Sequence, residues 1–169
     1  TKKEFDASPV YKSIALIGAK IDGRIIGFCS GSAITKDLIL SASHCAVAAL
    51  EIAADPDVKF EGLVIQFYAN DGETMLTEED VTVEAMDVFN DVGIFKRVGH
   101  GLKPLKIAKE PAKIRDRIAI IGSPLAEFST IFYGEVMNAD KTLDPTYQHK
   151  LLLNCLAAGG NSGSPVVNS

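Results

Sequence analysis

Three short segments hold the side chains best suited to chemistry. Residues 159–165 read Gly-Gly-Asn-Ser-Gly-Ser-Pro, which sets Ser162 among glycines. A serine so flanked can sit on a tight turn with its hydroxyl exposed. The neighbouring N–H groups then point to one spot, the arrangement that stabilises a carbonyl oxygen as it gains charge. Read alone, the segment is equally a glycine-rich turn between two strands. Residues 38–46 read Leu-Ile-Leu-Ser-Ala-Ser-His-Cys-Ala, so His44 follows an apolar run directly and stands among small residues. Imidazole changes protonation near neutral pH and suits general-base work. Taken by itself, His44 reads better as a half-buried structural histidine. Residues 89–96 place Asp91 just before an apolar strand. A partly buried carboxylate there can fix the tautomer of an imidazole and stabilise the imidazolium. Asp87 is the local competitor, and His100 and His149, flanked by glycine or lysine, read as solvated loop residues.

The elements that must position these groups are short and strand-like. Residues 11–17, then Asp22-Gly23, then residues 24–28 read as a β-hairpin. Further strands are expected at 38–41, 63–68, 81–85, 118–121, 131–136, 151–154 and 165–167, mostly separated by Gly, Pro, Asn or Asp. Only residues 46–54 have helical propensity. Many short strands with few helices predict an all-β sandwich or barrel. A seam at residues 99–104, with a charged stretch at 109–117, divides the chain into two β units: residues 1–103 with His44 and Asp91, and residues 104–169 with Ser162.

Composition removes several function classes. The 169 residues are 47% hydrophobic and 23% charged, enough to build a core and unlike a disordered chain. A net charge of −5, with no basic run longer than Lys2-Lys3, disfavours nucleic acid as a partner. No run of 18 apolar residues is present to span a membrane as a helix. The first residues lead into no apolar signal-peptide core, so an exported protein would here be in its mature form. The three cysteines, Cys29, Cys45 and Cys155, allow three thiols or one disulfide and one thiol. Without a C-x-x-C pair, neither a zinc site nor a redox motif is expected. No metal or other cofactor is called for.

Taken together, the segments resemble the trypsin-like serine proteases of the chymotrypsin fold, in the style of the HtrA and bacterial or viral branches. Gly31-Ser32-Ala33-Ile34 with Leu40-Ser41-Ala42-Ser43-His44-Cys45 resembles the family's histidine motif. Asp91-Val92-Gly93-Ile94-Phe95-Lys96 resembles its aspartate strand, and Ile120-Ile121-Gly122-Ser123-Pro124-Leu125 the entry to its second barrel. Gly160-Asn161-Ser162-Gly163-Ser164-Pro165 resembles its nucleophile loop. The order His, Asp, Ser is the family's, and separations of 47 and 71 residues suit a compact member.

The resemblance implies two packed six-stranded-type β-barrels, the second incomplete at the C-terminal end. It implies a serine endopeptidase with His44, Asp91 and Ser162 catalytic and the N–H groups of Gly160 and Ser162 as the oxyanion hole. It also implies a Cys29–Cys45 disulfide, hence a secreted or periplasmic protein, with Cys155 a buried thiol in the strand before the nucleophile loop. The S1 base falls at Leu156, followed by Ala157 and Ala158. Without a carboxylate there, an apolar P1 residue in a protein or peptide substrate is expected. Asn161 stands where zymogen-activated relatives have aspartate, so activation by a newly cut N-terminus is not expected. The chain ends seven residues past Ser162. That makes a catalytically impaired homologue, acting as a peptide- or protein-binding module, the alternative. A structural, capsid-like barrel is a further one.

Overall fold

The structure, a computed structural model, describes residues 5–69, 71, 73–99, 103–123, 130–138 and 151–169. The expectations for His100 and His149, and the Pro124-Leu125 end of one motif, lie outside these residues.

Six antiparallel strands close into a barrel in the order β1-β2-β3-β6-β5-β4, with β4 returning to β1. They are β1 (Ile14–Ile21), β2 (Arg24–Ala33), β3 (Leu38–Ser41), β4 (Phe60–Tyr68), β5 (Met75–Asp87) and β6 (Val92–Arg97). β1 and β2 form the hairpin expected from Asp22-Gly23, and both turn residues take positive φ, 51° and 74°. That twist suits a two-residue hairpin, and Asp and Gly tolerate it. The expected first strand loses residues 11–13, which belong to a 3-10 turn, Ser8–Ser13, opened by Pro9. Proline supplies the helical φ there and cannot donate to a strand ladder.

The barrel is filled from alternating positions, with Ile17, Ile39, Ile65, Phe67 and Phe95 fully or almost fully buried. One helix, α1 (Ser43–Ala54), packs Cys45, Ala46 and Ala49 against this core. Among the described residues the second unit is an open four-stranded sheet, order β10-β7-β8-β9. Its strands are β7 (Arg117–Gly122), β8 (Thr130–Asn138), β9 (Leu152–Asn154) and β10 (Val166–Asn168). A closed barrel beside an incomplete second sheet is the chymotrypsin-like architecture. β1 is buried on both faces because its alternate side chains serve both units. Ala15 and Ile17 face the barrel core, while Ile14 packs with Ala7, Ala119 and Ile121. No helix among the described residues is long and apolar enough to cross a membrane.

Candidate active site

His44 stands in the first turn of α1, and Asp91 holds that turn in place. Ala42, at the N-cap position, offers no side-chain acceptor for the helix's free N–H groups. The Asp91 carboxylate supplies it from the β5–β6 turn. Its Oδ1 accepts the Ser43 hydroxyl and the His44 backbone N–H, both at 3.0 Å. Asp91 therefore caps a helix distant in sequence, with the geometry that a local Asp or Ser normally provides. The imidazole meets the same carboxylate, with Nδ1 at 3.0 Å from Oδ1 and 2.9 Å from Oδ2. A carboxylate can only accept, so Nδ1 is the proton-bearing nitrogen and Nε2 is left as the acceptor.

Burial opposes ionisation of the Asp91 carboxyl. The His44 N–H, the imidazole and the Ser43 hydroxyl outweigh that effect and hold its pKa below the ordinary carboxylate value. Asp91 reaches this position with φ of +54°, an uncommon conformation that Asp tolerates better than most residues. Two residues on, Gly93 pairs with Ser41, and a Cβ there would lie 2.6 Å from the Ala42 carbonyl oxygen. Only glycine lets β6 run this close to the start of α1. Asp87, the competitor, is occupied elsewhere: its carboxylate accepts the Asn90 carboxamide at 2.6 Å and the Asn90 N–H at 3.1 Å.

The Ser162 loop is two consecutive turns, closed by Asn161 N–H to Ala158 C=O at 3.1 Å and Ser164 N–H to Asn161 C=O at 2.9 Å. The third residue of each is a glycine with positive φ, Gly160 at 94° and Gly163 at 82°. This is the backbone that a type II turn requires. Among the described residues the N–H groups of Gly160 and Ser162 donate to nothing and are free for a ligand oxygen. The loop docks on the first barrel, with Ser30 N–H donating to the Ser162 carbonyl at 2.8 Å.

Cys29 and Cys45 form a disulfide, and the Cys45 sulfur touches the Ser162 carbonyl at 3.7 Å. An oxidised sulfur has no proton, so this is a packing contact. It sets Ser162 beside the first turn of α1. No hydrogen bond among the described residues joins the Ser162 hydroxyl to His44. In unliganded sites such bonds are often long and tighten only with substrate. His44 lies near Cys29 and Cys45 at metal-ligand range. Those sulfurs are bonded to each other and offer no thiolate, so the three do not form a metal site.

Leu156, Ala157 and Ala158, expected at the S1 base, are exposed, Leu156 to 74%. A cleft of about 630 Å³ lies elsewhere, between the barrel and β10, lined by Ser41, Ala42, Asp91, Leu105 and Pro165 among others. Neither His44 nor Ser162 borders it. Cys155 follows β9 rather than lying within it, and it is half-buried. Its thiol donates to the Phe132 carbonyl at 3.3 Å, and burial raises its pKa. Sequence reading missed Ser30 and Ser43. A small polar residue at a buried strand or helix-start position carries no local sign of the distant group it will bond.

Residues 27–169 match the family model for the trypsin-like peptidase domain. No curated protein sequence matches the chain significantly. Among solved structures, the inactive form of the Rv3671c protease is 19% identical, with a TM-score of 0.66 over 95% of this chain and 73% of that one. Deg5 is 17% identical, with a TM-score of 0.70 over 98% and 83%. The active form of the Rv3671c protease from M. tuberculosis is 19% identical, with a TM-score of 0.67 over 95% and 67%. At these identities the likeness speaks to the fold.

Proposed function

The chain belongs to the trypsin-like peptidase family, and on that footing we propose that it is a serine endopeptidase using Ser162, His44 and Asp91. The observation that carries this reading is the Asp91 carboxylate on His44 Nδ1, at 2.9 and 3.0 Å. It leaves Nε2 able to accept a proton. The Ser162 hydroxyl attacks a peptide carbonyl as His44 takes its proton, and Asp91 stabilises the imidazolium. His44 then protonates the leaving amine, and water, deprotonated by the same imidazole, hydrolyses the acyl-enzyme. The free N–H groups of Gly160 and Ser162 bind the oxyanion, each donor contributing about 2.7–4 kcal/mol.

Leu156, Ala157 and Ala158 form an apolar approach to the scissile bond and favour an apolar P1 residue in protein or peptide substrates. A peptide library cleaved best after Arg would contradict that preference. The Cys29–Cys45 disulfide supports action in an oxidising compartment, secreted or periplasmic.

The test is intact-mass labelling with a fluorophosphonate, which reports an activated serine without needing a known substrate. The wild-type chain is expected to gain one adduct, on Ser162, and Ser162→Ala and His44→Ala to gain none. The second reading, a catalytically silent binding module, draws on two observations: the missing Ser162–His44 hydrogen bond and the exposure of Leu156. Absence of any adduct on folded wild-type protein would favour it.

A further inference from the structure

Ser30 lies in β2 with no solvent exposure, and every one of its hydrogen-bonding groups is used. Its N–H donates to the Ser162 carbonyl at 2.8 Å, and its hydroxyl donates to the Gly160 carbonyl at 2.8 Å. The same hydroxyl oxygen accepts the Ser123 N–H at 2.9 Å, just past the end of β7. The Ser30 carbonyl accepts the Ser41 hydroxyl at 2.8 Å. One residue of the first barrel thus holds the Ser162 loop at two carbonyls and ties it to the second sheet.

The surroundings make this hydroxyl hard to replace. The Asn161 carboxamide and the hydroxyls of Ser123 and Ser164 are buried with no hydrogen-bond partner among the described residues. Gly122 packs so closely that a Cβ there would run into the Ser164 hydroxyl and lie 3.0 Å from Ser30 Oγ. In this poorly satisfied polar interior, the hydroxyl of Ser30 is the side-chain group that grips the loop backbone.

Building on the function proposed above, we propose that Ser30 is a positioning residue, setting the Ser162 N–H as oxyanion donor and the Ser162 hydroxyl as nucleophile. The Gly160–Asn161 peptide is pinned at both ends, its carbonyl by Ser30 and its N–H by Ala158. A pinned peptide cannot rotate, and with the Ser162–Gly163 peptide held at its carbonyl, the intervening Asn161–Ser162 peptide, which carries the Ser162 N–H, is restrained from both sides. The bond to the Ser162 carbonyl fixes the Cα from which the nucleophilic hydroxyl projects. Small misplacements of reacting groups, of order 1 Å, cost on the order of 100-fold in rate.

The test compares Ser30→Ala with Ser13→Ala, which also deletes a hydrogen-bonded buried hydroxyl, here one bonded to the Lys103 carbonyl. Amide hydrogen exchange in Ser30→Ala is expected to quicken about tenfold or more at Asn161 and Ser164, and to stay unchanged in Ser13→Ala. Fluorophosphonate labelling and kcat are expected to fall about 10- to 100-fold in Ser30→Ala with KM within about threefold, and Ser30→Thr to restore part of the loss. Unchanged exchange at the loop overturns the proposal whatever the activity. Loop loosening without loss of rate overturns the positioning role. If the wild-type chain takes up no label, the protease reading fails, and the exchange measurement alone decides whether Ser30 holds the loop.

Discussion

Replacing Asp91 by Asn separates the carboxylate's chemical role from its structural one. Asn and Asp are comparable helix caps, and Asn tolerates the +54° φ at this position. The carboxamide has one acceptor oxygen where the carboxylate has two. Two donors, the Ser43 hydroxyl and the His44 N–H, converge on Oδ1 at 3.0 Å. They are expected to hold the amide oxygen there, since the opposite orientation turns an NH2 group toward both. Ser43 is buried, and leaving a buried donor unsatisfied costs about 1–3 kcal/mol; at the exposed His44 N–H the cost is smaller. In the favoured orientation the amide NH2 faces His44 Nδ1, which must then accept. The ring proton moves to Nε2, and the imidazole can no longer take a proton from Ser162. Tautomer inversion of this kind lowers kcat by about 10⁴-fold, which is about 5.4 kcal/mol at 1.36 kcal/mol per decade. The assay is the pseudo-first-order rate of fluorophosphonate labelling beside the thermal midpoint. The expected result is a collapse in labelling with the midpoint moved by a few degrees at most, at about 2–4 °C per kcal/mol. A variant within tenfold of wild type would refute the tautomer argument. Asp91→Ala serves as the contrast, because it loses the cap as well and leaves alanine at positive φ.

Three other outcomes follow from the same geometry. Breaking the Cys29–Cys45 bridge with Cys29→Ser and Cys45→Ser together opens a loop of 16-residue separation, worth about 3 kcal/mol on the chain-entropy model. At about 2–4 °C per kcal/mol, calorimetry should show a drop of roughly 6–12 °C, and an unchanged midpoint would contradict the estimate. Ser43→Ala removes one of the donors that hold the Asp91 carboxyl below its ordinary value. A depressed folded-state pKa contributes stability that is present above the unfolded value and lost as pH falls through the folded one. The variant should therefore titrate Asp91 at higher pH by carboxyl NMR and lose stability earlier on acidification. Identical titration curves would remove Ser43 from the account. Gly163→Ala places a Cβ at φ +82° that would run into the Ser41 hydroxyl and the Ser30 carbonyl. The loop must move, and labelling should fall on the order of 100-fold; full labelling would show that the close docking is dispensable.

What can be read from the chain is whatever depends on neighbours in sequence. Short apolar runs and Asp22-Gly23 predict strands and a hairpin, because strand propensity and turn conformation are set within a few residues. The motif order singles out His44 and Asp91, which the structure places in hydrogen-bond contact. The helix is read from residue 46, yet it begins at Ser43. Ala42 carries no capping side chain, and the cap arrives from Asp91 across the barrel, through a β3–β6 pairing that local propensity cannot reveal.

The same limit hides Ser30. Nothing within its strand distinguishes it from a solvent-facing serine until barrel closure buries it against Gly160 and Ser123. Residue types and spacing state which groups can do chemistry. Strand pairing and the docking of one sheet on the other decide which meet, because the energies that orient them come from groups brought together only by the fold. Asp91 and the His44 it caps lie 47 residues apart, and Ser30 and the Gly160 carbonyl it holds lie 130 apart.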